Sequence, residues 1–404
     1  MSLDDILRDP SLSVERKEER VAAFLSSELD SGIDTIRSVL LSAEDERVAH
    51  FVANHLALLP GYTAEKRLAI DRLTRAREEL ARSAASLIQF AAIEQLEPIV
   101  LEFIRDPSPR RPLFSLIFEI AVYFPGLLRP YWDQLEQGSL RQGMLSGAPD
   151  EWVDRHVANY RADHAAQHLE TLGRFHTPRA ASALHELRTE VPPEQTKAWE
   201  AFLEFAGLLE DGTTPSKFMP SLRGFVVERG RSPHAMGGHV EGTVPICPVC
   251  SVPTSRVLSL KSKELPLGLS GLDPSFFWFD CDCGKLTSTN VRITEHGVEV
   301  LIGFPGRSAE SLRMPRERAL LLEEHPNQTG ISIKAFGGSG RHQVGGVPRW
   351  RQLEPLRYCT LCKKKMKVLA TIESGMTPFG RLTFAGTLYC SWCDDCSVSV
   401  TNLQ

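Results

Sequence analysis

From about residue 12 to 210, apolar positions recur three and four apart, the period of an amphipathic helix. Val48, Phe51, Val52, His55 and Leu56 make one such stripe. Others run through Leu87, Phe90 and Ala91, through Leu113, Leu116, Ile117, Ile120 and Ala121, and through Leu169, Leu172, Leu184 and Leu187. Breaks fall at Pro60-Gly61, Asp106-Pro107, Pro125-Gly126, Gly147-Ala148-Pro149, Thr177-Pro178 and Pro192-Pro193. The pattern predicts helices of roughly 10 to 18 residues joined by tight turns, stacked as hairpins. Past about Gly212 the grammar changes to β-branched and aromatic alternation with frequent Gly and Pro. Phe225-Val226-Val227, the run from Arg256 to Leu260, Val291-Arg292-Ile293, Val298 to Ile302 and Val368 to Ile372 read as strands. Pro315 to Glu324 reads as one short helix between two strand groups.

The expected architecture is therefore a multidomain chain of α and β parts. Residues 1–210 form an all-α domain, 211–222 a linker, and 223–404 a mainly β domain of two units, about 223–305 and 325–404. Several helices open alike, as in Asp45-Glu46-Arg47-Val48-Ala49, Glu79-Leu80-Ala81-Arg82-Ser83-Ala84 and Pro109-Arg110-Arg111-Pro112-Leu113. This resembles HEAT or armadillo repeats, in which each helix pair buries its apolar face on the next. An irregular helical bundle is the alternative.

Composition narrows the class. The 404 residues are 42% hydrophobic and 24% charged with a net charge of -5, which excludes a fibrous, collagenous or wholly disordered chain. Met1-Ser2-Leu3-Asp4-Asp5 is acidic where a secretory signal needs positive charge, so a cytoplasmic location is expected. The stretch Leu113 to Leu128 is short for a bilayer and holds Glu119 and Pro125, so it reads as a buried helix and no membrane contact is expected. Residues 1–239 hold 27 basic and 36 acidic side chains, residues 240–404 hold 19 and 15, so the helical part is acidic and the β part basic.

All nine cysteines lie at or beyond Cys247. Cys247-Pro248-Val249-Cys250 is followed after thirty residues by Cys281-Asp282-Cys283, and Cys359-Thr360-Leu361-Cys362 after thirty residues by Cys393-Asp394-Asp395-Cys396. A shared phrase introduces each unit, His234-Ala235-Met236-Gly237-Gly238 in the first and His342-Gln343-Val344-Gly345-Gly346 in the second. The repetition points to an internal duplication. In a reducing compartment, paired cysteines are read first as metal ligands. A pair one or two residues apart chelates one tetrahedral ion from a tight turn, and a second pair closes the site. Eight cysteines thus predict two structural zinc ions, each held by four thiolates with no open position for a substrate. Redox-active pairs and free buried cysteines are the alternatives. Neither leading pair is followed by the glycine common in zinc knuckles. Cys390 stands outside the pattern and reads as a buried apolar residue. Two filled sites would add about four negative charges and cancel the basic excess of the β part.

The run Gly345-Gly346-Val347-Pro348-Arg349-Trp350-Arg351-Gln352, followed by Cys359-x-x-Cys362, Met366, a strand through Ile372, and Tyr389 ahead of Cys393-x-x-Cys396, resembles the YwqG-like family of bacterial proteins. That family is related to eukaryotic ribosomal-protein chaperones of the programmed-cell-death-two type. The resemblance spans about residues 215–404, and the first unit lacks the P-x-W-x-Q portion. It implies an internally duplicated, often metal-binding β fold that contacts other proteins without catalysis, in some relatives as the immunity protein of a toxin. Trp and Arg are favoured at interfaces, which makes Arg349, Trp350, Arg351 and Gln352 a candidate contact patch; the alternative is that Trp350 packs on its own sheet.

Enzyme motifs do not emerge. His164 and His168 lie four apart on a predicted helix without the glutamate of H-E-x-x-H, Gly337-Gly338-Ser339-Gly340 reads as a flexible turn, and Gly284-Lys285 lacks the upstream glycine of a phosphate loop. The expectation is a non-catalytic protein that sequesters or escorts a protein partner, possibly a toxin. The alternative is a ribosome- or RNA-associated zinc-containing factor, which would use Lys363, Lys364, Lys365 and Lys367, or a ribosomal-protein chaperone, with nucleic acid the less favoured partner.

Overall fold

The computed structural model of the chain describes residues 3–26, 29–42, 44–76, 78–206, 220–283, 288–309, 314, 316–325, 342–348 and 357–404. The chain divides into two compact units. One comprises Met1–Pro149 with Ile333–Gly340 and Gly375–Arg381, the other Asp150–Ser332 with Arg341–Ser374 and Leu382–Gln404. Most of the linker expected over 211–222 lies outside the described residues, as do Arg349, Trp350, Arg351 and Gln352.

The first unit is helical: α1 (Leu3–Arg8), α2 (Val14–Ser26), α3 (Leu29–Ser42), α4 (Glu46–Leu58), α5 (Thr63–Ala76), α6 (Glu78–Ala81), α7 (Ile93–Arg105), α8 (Phe114–Tyr123), α9 (Pro125–Leu128) and α10 (Gly138–Leu145). Local chemistry sets the ends. Asp45 caps α4 by accepting the Arg47 and Val48 N–H groups, and Gly61 turns the chain with φ +70°. The predicted stripe at Leu87 and Phe90 falls on a nine-residue 3-10 helix, Arg82–Phe90, whose buried Leu87 and Ile88 sit among neighbours that include α4, α5 and α8. All of α8 except Ser115 is buried, as expected for the stretch from Leu113. Among the described residues no helix is long and apolar enough to cross a membrane.

The second unit opens with α11 (Asp150–Asp163), α12 (Ala166–Phe175), α13 (Pro178–Glu186) and α14 (Thr196–Phe205), which pack mainly on α12 through Leu169, Leu172, Leu184 and Trp199. Its strands are β1 (Ser221–Val227), β2 (Ala235–Met236), β3 (Thr243–Ile246), β4 (Thr254–Ser259), β5 (Ser275–Phe279), β6 (Ser288–Thr294), β7 (Gly297–Ile302), β8 (Phe304–Arg307), β9 (Arg318–Glu324), β10 (His342–Gly345), β11 (Lys367–Thr377), β12 (Gly380–Cys393) and β13 (Val398–Leu403). Eleven of them form one sheet in the order β5-β4-β2-β9-β1-β10-β11-β12-β13-β6-β7, and β3 pairs with β8 separately. The five runs predicted as strands lie on β1, β4, β6, β7 and β11. The helix expected over Pro315 to Glu324 is corrected: Arg318–Glu324 is β9, because its leucines fill the slot between β1 and β2 and packing overrides their helical propensity.

The sheet is laid out about its β1/β9 pair. Outward from that antiparallel pair run β10, β11 and β12 on one side and β2, β4 and β5 on the other, so the repeated elements correspond in mirrored order. The leading strands are exchanged: β1 opens the first repeat but pairs with β10 of the second, and β9 opens the second but pairs with β2 of the first. The repeated phrase makes room for this crossing. Gly237, Gly238, Gly345 and Gly346 all have φ between 63° and 78°. A Cβ at Gly237 or Gly238 would strike Met314 or Glu317, just ahead of β9, and one at Gly345 would strike Pro220, just ahead of β1. Symmetry then breaks, because β13 pairs with β6 as well as β12 and the sheet curls until β13 packs against β5.

Burial holds two histidines neutral. His55 on α4 and His342 at the start of β10 are each pushed down to about 4 by loss of water, and neither His342 ring nitrogen has a partner among the described residues. The unfolded chain takes up protons near pH 6.5 that the native chain refuses until about pH 4, so stability present above pH 6.5 is lost as pH falls through that window. Each ring accounts for up to about 3 kcal/mol. Urea midpoints measured from pH 7 to pH 4.5 are expected to fall, and His55→Leu to flatten part of the slope; an unchanged slope in that variant would assign the acid sensitivity elsewhere.

Candidate metal centres

The eight paired cysteines come together in two groups, Cys247 with Cys250, Cys281 and Cys283, and Cys359 with Cys362, Cys393 and Cys396, and within each the sulfurs lie within 4.8 Å of one another. Every one is a free thiol. The two knuckles fold alike. In the turn between β3 and β4 the Ser251 N–H donates to the Cys247 carbonyl (2.9 Å) and the Cys247 N–H to the Val252 carbonyl (2.8 Å). Ahead of β11 the Lys363 N–H donates to the Cys359 carbonyl (2.9 Å) and the Cys359 N–H to the Lys364 carbonyl (2.8 Å). Ser251 and Lys363 take the left-handed conformation, φ 60° and 62°, so the position where a knuckle commonly carries glycine is strained here in both repeats.

The second pair of each group comes from the far end of a strand. Cys281 and Cys283 follow β5, Cys393 ends β12, and Cys396 sits in the turn before β13. The donor sets suit a thiophilic dication. Cys362 and Cys393 Sγ stand 3.6 Å apart, far beyond a disulfide and close to the roughly 3.8 Å edge of a tetrahedron with metal–sulfur bonds of about 2.3 Å. Against the opposing effect of burial, N–H groups of Cys250 and Val249 and the neighbouring thiols bring Cys247 down to about 7. The Lys364 N–H does the same for Cys362, also to about 7, while burial pushes Cys281 up to about 12 and Cys393 higher still. Each quartet thus has one ready thiolate and neighbours whose protons a bound cation would displace.

The surroundings differ. The second group is set in an apolar cluster of Met366, Val398 and Val400, with Leu301 packed against it, whereas Cys250 of the first is exposed. Asp394, not singled out by the sequence reading, braces the second metal loop. Its carboxylate accepts the Ser270 N–H (2.8 Å) and hydroxyl (2.7 Å), the Gly271 N–H (3.2 Å) and the Trp392 indole N–H (3.2 Å). The only sequence signal was its place between two ligands. Cys390 is fully buried opposite Thr401, and burial drives its thiol well up, which fits an apolar role. His164 and His168, read as sharing one helix, are separated by the end of α11, His164 lying in the left-handed turn before α12; His168 meets His156 on α11 across the hairpin instead. Comparison of the chain with protein-family models, curated proteins and solved structures finds no match.

Proposed function

We propose that this chain is a non-catalytic protein-binding protein whose β part is held by two structural zinc ions and whose helical part is a HEAT-like repeat scaffold. Zinc is favoured because four thiolates at tetrahedral spacing suit a soft-tolerant ion with no redox demand. The observation that carries the binding role is a set of exposed apolar side chains on the segments that carry or flank the metal groups. Val249 and Leu361 occupy the same position of the two knuckles and are 63% and 45% exposed; Tyr358, Ile302 and Phe304 are 57%, 60% and 59% exposed. These residues sit on adjoining segments: Phe304 lies opposite Ile246 of β3, three residues before Val249, and Ile302 follows Leu301, which packs on the second metal cluster. Exposed apolar side chains gathered on rigid supports are the usual mark of a protein interface.

The likeness of the Gly345-to-Gln352 run to the YwqG-like family favours sequestration of a toxin by an immunity-type protein. The RNA-associated reading ranks second: Lys364 pairs with Asp395 (2.7 Å) and the Lys363 ammonium donates to the Thr360 carbonyl (2.7 Å), contacts that phosphate would have to compete with. Co-purification from the native host is expected to recover a protein, and Phe304→Asp with Leu361→Asp to reduce its recovery at least tenfold while bound metal stays constant. A partner retained undiminished by that double variant would move the interface elsewhere. Failure to recover a protein, together with failure to protect cells from a toxin encoded nearby, would overturn the reading.

A further inference from the structure

We propose a third metal site of a different kind, in which His156 and His168 bind one first-row transition dication across the α11–α12 hairpin. Their Nδ1 atoms stand 3.1 Å apart. Two imidazole nitrogens on one ion, with bonds of about 2.0–2.1 Å and angles from about 90° to 109°, lie about 2.9 to 3.4 Å apart, so the observed spacing is that of adjacent ligands.

The tautomer is set by Asp163, the last residue of α11. Its Oδ1 accepts the Ala165 N–H at 2.8 Å, which fixes the turn into α12, and its Oδ2 lies 3.3 Å from His168 Nε2. A carboxylate only accepts, so His168 carries its proton on Nε2 and directs the Nδ1 lone pair at His156. A carboxylate on the far nitrogen of an imidazole is the arrangement that orients histidine ligands and raises their basicity. His168 is buried, and His156 is half-buried with its ring edge-on to Phe175 at 5.5 Å, so both rings are held by packing and the site opens to water on the His156 side. Without an ion, His156 donates Nδ1–H to His168. With one, His156 exchanges tautomer through solvent, its proton passing from Nδ1 to Nε2, so that both Nδ1 lone pairs turn onto the metal, both imidazoles stay neutral, and water completes the coordination. Two imidazoles suit Ni²⁺, Co²⁺ or Zn²⁺ rather than Mg²⁺ or Ca²⁺.

The site is separate from the thiolate groups and is tested with them filled. The full chain, loaded with zinc, is titrated with Ni²⁺ by calorimetry. One further equivalent is expected, with a rise in melting temperature as the ion staples α11 to α12. His156→Gln and His168→Gln should each abolish that equivalent, and Asp163→Asn should weaken it about 10- to 100-fold. Unchanged helical circular dichroism together with unchanged zinc content in these variants shows that they remain folded. The proposal is overturned if the zinc-loaded chain takes up no further equivalent, or if the doubly substituted chain still takes it up, since the ion would then be held elsewhere.

Discussion

Stripping metal from the chain is expected to unfold the β part, with loss of strand signal in far-ultraviolet circular dichroism while helical signal remains. The size of the effect follows from the two quartets. A structural zinc site contributes on the order of 10 kcal/mol or more to folding, against a total stability of about 5–15 kcal/mol for an ordinary domain. Each quartet also ties neighbouring strand ends to one another. Cys247 and Cys250 anchor the turn between β3 and β4 to the end of β5, and Cys359 and Cys362 anchor the chain ahead of β11 to the β12–β13 hairpin. Elemental analysis should return two zinc ions per chain, and Cys359→Ser should lower this to one and cost more than the native margin of the sheet. The first quartet, with Cys250 exposed, should release its ion to a chelator before the second, which is packed by Met366, Val398 and Val400. A fully stripped chain that keeps its strand signal and its melting temperature would refute the structural role, and a metal content near zero in carefully prepared protein would refute the sites.

The ligands of those quartets were legible in the sequence because spacing alone implies chelation. Cys-x-x-Cys makes a tight turn whatever surrounds it, and an equal interval of thirty residues in both repeats requires the same strand return. The change from three-and-four periodicity to alternation likewise marked where helices give way to strands. Less legible was anything decided by pairing. Arg318-Ala319-Leu320-Leu321-Leu322-Glu323-Glu324 reads as helix by composition, yet Leu320 and Leu322 lie opposite Val226 and Gly224 of β1, a partner almost a hundred residues upstream. The histidine pair was missed for the same reason. His156 and His168 share no helical face in the sequence, and only the left-handed turn at His164, φ 52°, brings α12 back against α11. Asp394 carried a signal too weak to interpret, since an aspartate in a metal loop is ordinary until its four donors are seen. The repeated His-x-x-Gly-Gly phrase was visible, but its purpose, room for exchanged strands, depended on knowing which strand crosses where.

That purpose yields a second large effect: Gly345→Ala is expected to destabilise the chain by about 4 kcal/mol or more, whereas Gly61→Ala should cost only about 1 kcal/mol. The two glycines have nearly the same backbone conformation, φ +69° and +70°, so both substitutions carry the left-handed penalty. Their surroundings separate them. Nothing lies within 4 Å of a Cβ built on Gly61, while one built on Gly345 would meet the Pro220 carbonyl oxygen at 2.2 Å and Leu267 at 2.9 Å. The leucine tip can swing aside, but the carbonyl cannot move without its strand. Ser221, the next residue, is paired with Gly345 itself, and the register runs on through Leu222 with Val344 and Arg223 with Gln343. Pushing Pro220 away therefore opens the ladder between β1 and β10, one of the two crossings that interlock the repeats. β1 is also bound to β9 along its length, through Leu222 with Glu324 to Val227 with Ala319, so the damage reaches the pair about which the sheet is laid out. Urea denaturation of both variants at neutral pH, with zinc present, measures the difference. A Gly345→Ala chain within about 1 kcal/mol of Gly61→Ala would mean that β1 can shift against β10 and that the paired glycines are not what admits the exchanged strand.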